Sequence, residues 1–205
     1  MLFHVFFLMF FVKFAKRTIF PMEKKITLQD KTFKIFIPYS EIEKAIDLVA
    51  ARMNKDFSSY TDSNPPVMLC TLNGAVMYAA ELLKRLTFPL EFKALKLTSY
   101  QGTKSTGEVK AELPPSIADF KGRDVIVVED IVDTGNTIVT LKNLLEELGA
   151  ARIFVTALLL KPEVYKKDVK LDYVAMSIPN RFIVGFGLDY NELGRNTEDI
   201  YVLDS

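Results

Sequence analysis

Apolar and polar positions along this chain follow two rhythms that take turns. Phe33, Ile35 and Ile37 alternate with polar residues behind a turn at Gln29-Asp30-Lys31, which predicts a short hairpin over 27–37. Ile42, Ile46 and Val49 then recur at helical spacing, with Ser40 and Glu43 in the form of a capping box ahead of them. Asn64-Pro65-Pro66 breaks the chain. Val67 to Leu72 is an apolar run of strand length that closes at Asn73-Gly74. A helix over 75–86, ended by Phe88-Pro89, and a strand over 91–100 come next. The segment 101–115 has few apolar residues and two glycines, and reads as a long mobile loop. Lys121-Gly122-Arg123-Asp124 turns into the apolar run Val125 to Val128. Ile138, Leu141, Leu145 and Leu148 align on a helix over 137–148, which Gly149 stops. The stretches 153–160, 173–178 and 182–184 read as further strands. Alternating strands and helices define an α/β fold with a mostly parallel sheet flanked by helices on both faces.

Composition narrows the chemistry. The chain has 205 residues, enough for one domain with a substantial core. Lys plus Arg equals Asp plus Glu at 26 each, so no basic excess points to nucleic acid. Cys70 is the single cysteine and lies in an apolar run, which reads as a core residue in a reduced compartment. The only histidine is His4. Histidine acid–base chemistry and histidine zinc sites are therefore excluded from the body of the protein, and any base is a carboxylate, Lys or Tyr. No Gly-x-Gly-x-x-Gly and no Walker loop is present, which removes support for dinucleotide or ordinary NTP binding.

The first 21 residues stand apart. Met1 to Val12 is almost wholly apolar, and Lys13, Lys16 and Arg17 follow it, the reverse of a signal peptide. From Met22 the sequence reads as an ordinary cytosolic start. The preferred division is an atypical apolar leader over 1–21, an upstream artefact with Met22 as initiator, and a single main domain over 22–205. A membrane-surface anchor is the alternative for the leader.

Chemistry concentrates in Val127 to Thr137, VVEDIVDTGNT. A buried strand ends in Glu129 and Asp130. Asp133, Thr134, Gly135, Asn136 and Thr137 then lead into a helix. Ligands of open α/β sheets bind beyond the carboxyl ends of the strands. Clustered carboxylates there are costly unless they meet hydroxyls, a metal or a cationic substrate. Backbone N–H groups, two hydroxyls and the positive end of a helix dipole suit a phosphate. The bland alternative is a solvated acidic turn. Asp-Thr-Gly also occurs in aspartic proteases, but there it needs a second copy, and none exists here.

This segment resembles the phosphoribosyl-diphosphate (PRPP) binding motif of type I phosphoribosyltransferases. Asp133 makes it similar to the 6-oxopurine branch, the hypoxanthine-guanine phosphoribosyltransferases, and the resemblance runs from Ile26 to Asp204. It implies a type I phosphoribosyltransferase-like fold with a small hood built from the chain ends. It implies a purine-salvage enzyme of the cytoplasm that converts hypoxanthine or guanine and PRPP to IMP or GMP and pyrophosphate. Glu129 and Asp130 would bind the ribose 2′- and 3′-hydroxyls, and Asp133 would handle the purine N7 proton. Residues 133–137 would hold the 5′-phosphate. Asn73, Gly74 and Arg195 would meet the pyrophosphate. The family's usual Lys is Asn73 here, and its second Gly is Ala75. Ser99 and Tyr100 would open a lid loop. Lys161 would donate to the 6-oxo group, while Phe182 and Val184 would stack on the purine and present main-chain groups to its edge. Asp189 would associate with Mg²⁺ through water, with Glu129 and Asp130 beside it. A homodimer or homotetramer, with neither nucleic acid nor membrane as partner, is implied. The rival from another class is a non-catalytic PRPP or nucleotide sensor on the same fold. A third option is transfer to another base.

Overall fold

In chain order the elements are β1 (Lys25–Leu28), β2 (Lys31–Ile37), α1 (Tyr39–Asp56), β3 (Val67–Leu72), α2 (Val76–Leu83), β4 (Glu91–Lys96), β5 (Thr98–Ser99), β6 (Val109–Lys110), β7 (Asp124–Val132), α3 (Asn136–Glu147), β8 (Arg152–Leu160), β9 (Tyr173–Ser177), β10 (Ile183–Val184) and β11 (Ile200–Leu203). This computed structural model describes residues 24–96, 98–99, 109–110 and 119–204. The leader, Tyr100 and most of the 101–115 loop lie outside the described residues.

The main sheet has the order β4-β3-β7-β8-β9, and every neighbouring pair is parallel. From β3 the chain moves outward to β4, then crosses back over β3 to β7 and continues to β8 and β9. Connections therefore leave β3 and β7 in opposite directions. A crevice opens between their carboxyl ends, where ligands of such sheets bind.

Alternation along each strand divides the core between the two faces. Met68, Cys70, Ile126, Val128 and Leu158 pack with α1 and α2. Val67, Leu69, Val125, Val127 and Val155 pack with Ile138, Leu141 and Leu145 of α3. Each such aliphatic side chain stabilises the fold by roughly 1.5–3 kcal/mol when fully buried. Cys70 is wholly enclosed, as its setting in the sequence implied.

The chain ends build a second, antiparallel sheet of order β1-β2-β11-β10 over Phe33, Val184 and Tyr201. This is the expected hood. Its strand β11 escaped the sequence reading because four residues near a chain end carry too little periodicity. The capping box at Ser40 and Glu43 is corrected. The N-cap of α1 is Pro38, with no side-chain cap hydrogen bond, so Ser40 already lies inside the first turn. Instead the Tyr39 N–H donates to Asp199 Oδ1 at 2.8 Å, a cap supplied from 160 residues away. Lys24 pairs with the same carboxylate.

Three further boundaries differ. Helix α2 stops at Leu83, and the strand expected over 91–100 divides into β4 and a short β5 that pairs antiparallel with β6. Strand β7 runs four residues past Val128, because Glu129↔Ala157, Ile131↔Leu159 and Val132↔Leu160 keep it paired with β8. The acidic pair thus lies within a strand. Among the described residues no helix is long and apolar enough to cross a membrane.

Candidate active site

The ladder between β3 and β7 ends at Cys70↔Val128, and the two chains diverge from there. Beyond it β3 turns at Asn73-Gly74, after a cis peptide at Leu72–Asn73. A Cβ on Gly74 would fall 1.7 Å from Asp130 Oδ2, and one on Gly187 would fall 2.0 Å from the Gly74 carbonyl oxygen. Three segments far apart in sequence therefore touch through glycines. Gly74→Ala is expected to lower the thermal midpoint, since such overpacking costs about 1–3 kcal/mol. Calorimetric unfolding checks this, and an unchanged midpoint would contradict the close approach.

Glu129 is only 5% exposed. Its Oε2 accepts from the Thr71 hydroxyl at 2.8 Å, and its Oε1 is buried without a hydrogen-bond partner among the described residues. Burial, then the neighbouring Asp130 charge, pushes the Glu129 carboxyl well above the usual carboxylate range. Burial raises Asp130 as well, while backbone N–H groups and Arg195 pull the other way. Asp130 Oδ1 accepts from the Ile131 N–H at 2.8 Å. This is a strained arrangement for two acids in the absence of a partner, and a diol or cation relieves it.

Arg195 and Asp189 come to the same crevice but hold each other. Arg195 Nη2 lies 2.8 Å from Asp189 Oδ1 and 2.9 Å from Glu192 Oε2, and Nη1 donates to the Gly187 carbonyl at 2.9 Å. The resemblance gave them separate partners, and nothing in the sequence singled out Glu192. Among the described residues no group of three or more His, Cys, Asp or Glu side chains is arranged to hold a metal directly. The carboxylates present offer oxygen donors only, which fits a hydrated Mg²⁺ contacted through water.

Asp133 to Ile138, with Glu129, Ile131 and Val132, line a cavity of about 80 Å³. Helix α3 starts at Asn136, and its N-cap, Gly135, stands at φ +79° with no side-chain cap. The first N–H groups of the helix are thus left for a ligand. A Cβ on Gly135 would also meet the Tyr165 ring at 2.4 Å, so Tyr165 backs this loop, a role the sequence did not reveal.

Lys161 stands at the end of β8, 8% exposed, and its Nζ lies 2.9 Å from Asp133 Oδ2. Its own N–H donates to the Val132 carbonyl at 3.0 Å, which fixes the lysine beside the loop. Phe182 is 47% exposed, with its ring near those of Phe33 and Tyr190. Val184 does not share that setting: its side chain is 0% exposed inside the hood. The Leu203 N–H donates to the Phe182 carbonyl at 3.1 Å, so Phe182 and, two residues on, Val184 direct their main chain at β11. Ile183 directs its N–H and C=O to the open side of this edge strand. Ser99 pairs with Val109, and Tyr100 lies outside the described residues.

Comparison with known proteins agrees with this architecture. The model of the phosphoribosyl transferase domain family matches residues 38–191, which defines the class of the fold and crevice. A hypoxanthine-guanine phosphoribosyltransferase of Lactococcus lactis is 41% identical over 83% of this chain and 90% of its own length. One from Streptococcus pneumoniae is 35% identical over 86% and 96%. A solved structure of Trypanosoma cruzi hypoxanthine phosphoribosyl transferase has a TM-score of 0.77 at 31% identity, covering 87% of this chain and 95% of that one. The chain belongs to the hypoxanthine-guanine phosphoribosyltransferase family.

Proposed function

We propose that the crevice transfers the 5-phosphoribosyl group of PRPP to N9 of hypoxanthine, and of guanine, giving IMP or GMP and pyrophosphate. The observation that carries this reading is the Lys161–Asp133 pair, 2.9 Å apart beside the uncapped start of α3. A 6-oxopurine with a proton on N7 offers an acceptor, O6, and a donor, N7–H, side by side on one edge. Lys161 donates to O6 and Asp133 accepts from N7. Each then exchanges its partner in the pair for a purine atom.

In the reaction the N9 lone pair forms the bond to C1′ as the bond from C1′ to the pyrophosphate oxygen breaks, with inversion. The N7 proton passes to Asp133. Glu129 and Asp130 take the ribose hydroxyls and place negative charge near the ribosyl cation. The N–H groups and hydroxyls of 134–137 hold the 5′-phosphate. Arg195 turns from Asp189 to the pyrophosphate, where its planar donors suit the anion. Asn73 and Gly74 contribute backbone contacts to the same group. Bound Mg²⁺ supplies charge that offsets the leaving pyrophosphate. Phe182 covers the purine face, and Ile183 presents main-chain groups to its edge. Ser99 and Tyr100 begin a lid that excludes water from the cation. The setting is purine salvage in the cytoplasm by a homodimer or homotetramer.

A transfer assay with labelled PRPP and each base, with and without Mg²⁺, tests the reading. Absence of IMP formation from hypoxanthine overturns it. The double variant Glu129→Gln, Asp130→Asn is expected to raise the KM for PRPP and lower kcat, with little change in hypoxanthine affinity. A fall in purine affinity alone would remove both residues from the ribose.

A further inference from the structure

Thr71 is absent from every motif read in the sequence, yet it sits at the point where the sheet opens. The last β3–β7 pair is Cys70↔Val128, one residue earlier. Where the main-chain ladder stops, the Thr71 side chain crosses the gap. Its Oγ lies 2.8 Å from the Val128 carbonyl oxygen and 2.8 Å from Glu129 Oε2. Thr71 is 5% exposed, so water competes little for this hydroxyl. It is the hydrogen-bond partner of the Glu129 carboxylate among the described residues, and the other carboxylate oxygen is left buried and unpartnered.

We infer that Thr71 is a positioning residue for PRPP: it fixes the Glu129 carboxylate by one oxygen so that the other is free for the ribose diol. The inference rests on the proposed role of Glu129 at the ribose. The physical need is specific. Glu129 has rotatable bonds and a costly buried charge, and a single oriented hydrogen bond selects one rotamer at little entropic cost. Because Thr71 directly precedes Leu72-Asn73-Gly74, the same residue ties the pyrophosphate turn to the ribose acid. No lysine stands in that turn, where Asn73 is found, so backbone and side-chain geometry must do more of the positioning here.

The test uses the full chain with Thr71→Val, which keeps the shape and removes the hydroxyl, and Thr71→Ser, which keeps the hydroxyl. Thr71→Val is expected to raise the KM for Mg·PRPP about tenfold, the size of one hydrogen bond to a charged group, with the KM for hypoxanthine held within about twofold. Thr71→Ser is expected to restore PRPP binding. A purely structural role would instead lower the thermal midpoint and raise both KM values, and that result overturns the inference. So does a PRPP KM for Thr71→Val within about twofold of the unmodified chain. If Thr71→Val does not fold, PRPP titration of Thr71→Ala alone and with Glu129→Ala decides. A loss absent from the Glu129→Ala background supports action through Glu129, and a loss that adds in full overturns it. An unmodified chain that binds no Mg·PRPP overturns the reading of the whole site, an outcome distinct from failure of Thr71 alone.

Discussion

Asp133→Asn is expected to lower kcat by about 10²–10⁴-fold, the range over which a positioned acid or base contributes. In the proposed mechanism the carboxylate accepts the N7 proton as N9 bonds to C1′, and an amide of the same shape accepts a hydrogen bond but no proton. PRPP affinity should change little, because in the same proposal the N–H groups and hydroxyls of 134–137 hold the 5′-phosphate. The structure adds a second consequence. Asp133 is the ion-pair partner of Lys161, so the variant leaves the lysine with a neutral neighbour and should also alter hypoxanthine affinity modestly. Since the Asp133 side chain is 43% exposed, water screens the pair, and little stability is at stake. Single-turnover measurement of IMP formation separates the chemical step from product release. Near-normal turnover would take Asp133 out of the mechanism.

Base choice should depend on Lys161 to a similar degree. Its ammonium donates to a 6-oxo group and cannot accept from a 6-amino group. The side chain is only 10% exposed, so an adenine in the crevice would leave a desolvated cation facing a donor. A buried donor left unpaired costs about 1–3 kcal/mol, and more when charged, which corresponds to about hundredfold discrimination or greater. Hypoxanthine and guanine should be substrates and adenine nearly inert. Lys161→Gln should narrow the gap, because an amide both donates and accepts. Comparison of kcat/KM for the three bases in both proteins measures this. Equal values for adenine and hypoxanthine in the unmodified chain would sink the assignment.

What could be read directly from the sequence was local. The strand–loop–helix at 124–147 was legible because the apolar run, the turn residues and the helical stripe are contiguous. Lys161 could be placed at the end of a strand for the same reason. The facing of Val184 was not legible, because in a two-residue strand it depends on which partner the strand pairs with, and β11 is a separate, weakly patterned segment. The capping box at Ser40 failed similarly, since the Tyr39 N–H is satisfied by Asp199 from the other end of the chain.

By itself, then, the sequence determined the α/β class, the order of the main-sheet strands along the chain and the acidic, hydroxyl-rich character of 129–137, because each rests on neighbours within a few residues. Tertiary structure decided the rest. It alone placed β3 beside β7 and so set the crevice. It joined Lys161 to Asp133 and Arg195 to Asp189, and it pressed Gly74 against Asp130. It alone brought Thr71 to Glu129 across 58 residues of chain. The physical reason is that a hydrogen bond or a close approach depends on separation in space, which periodicity along a chain does not encode once the partners belong to different elements.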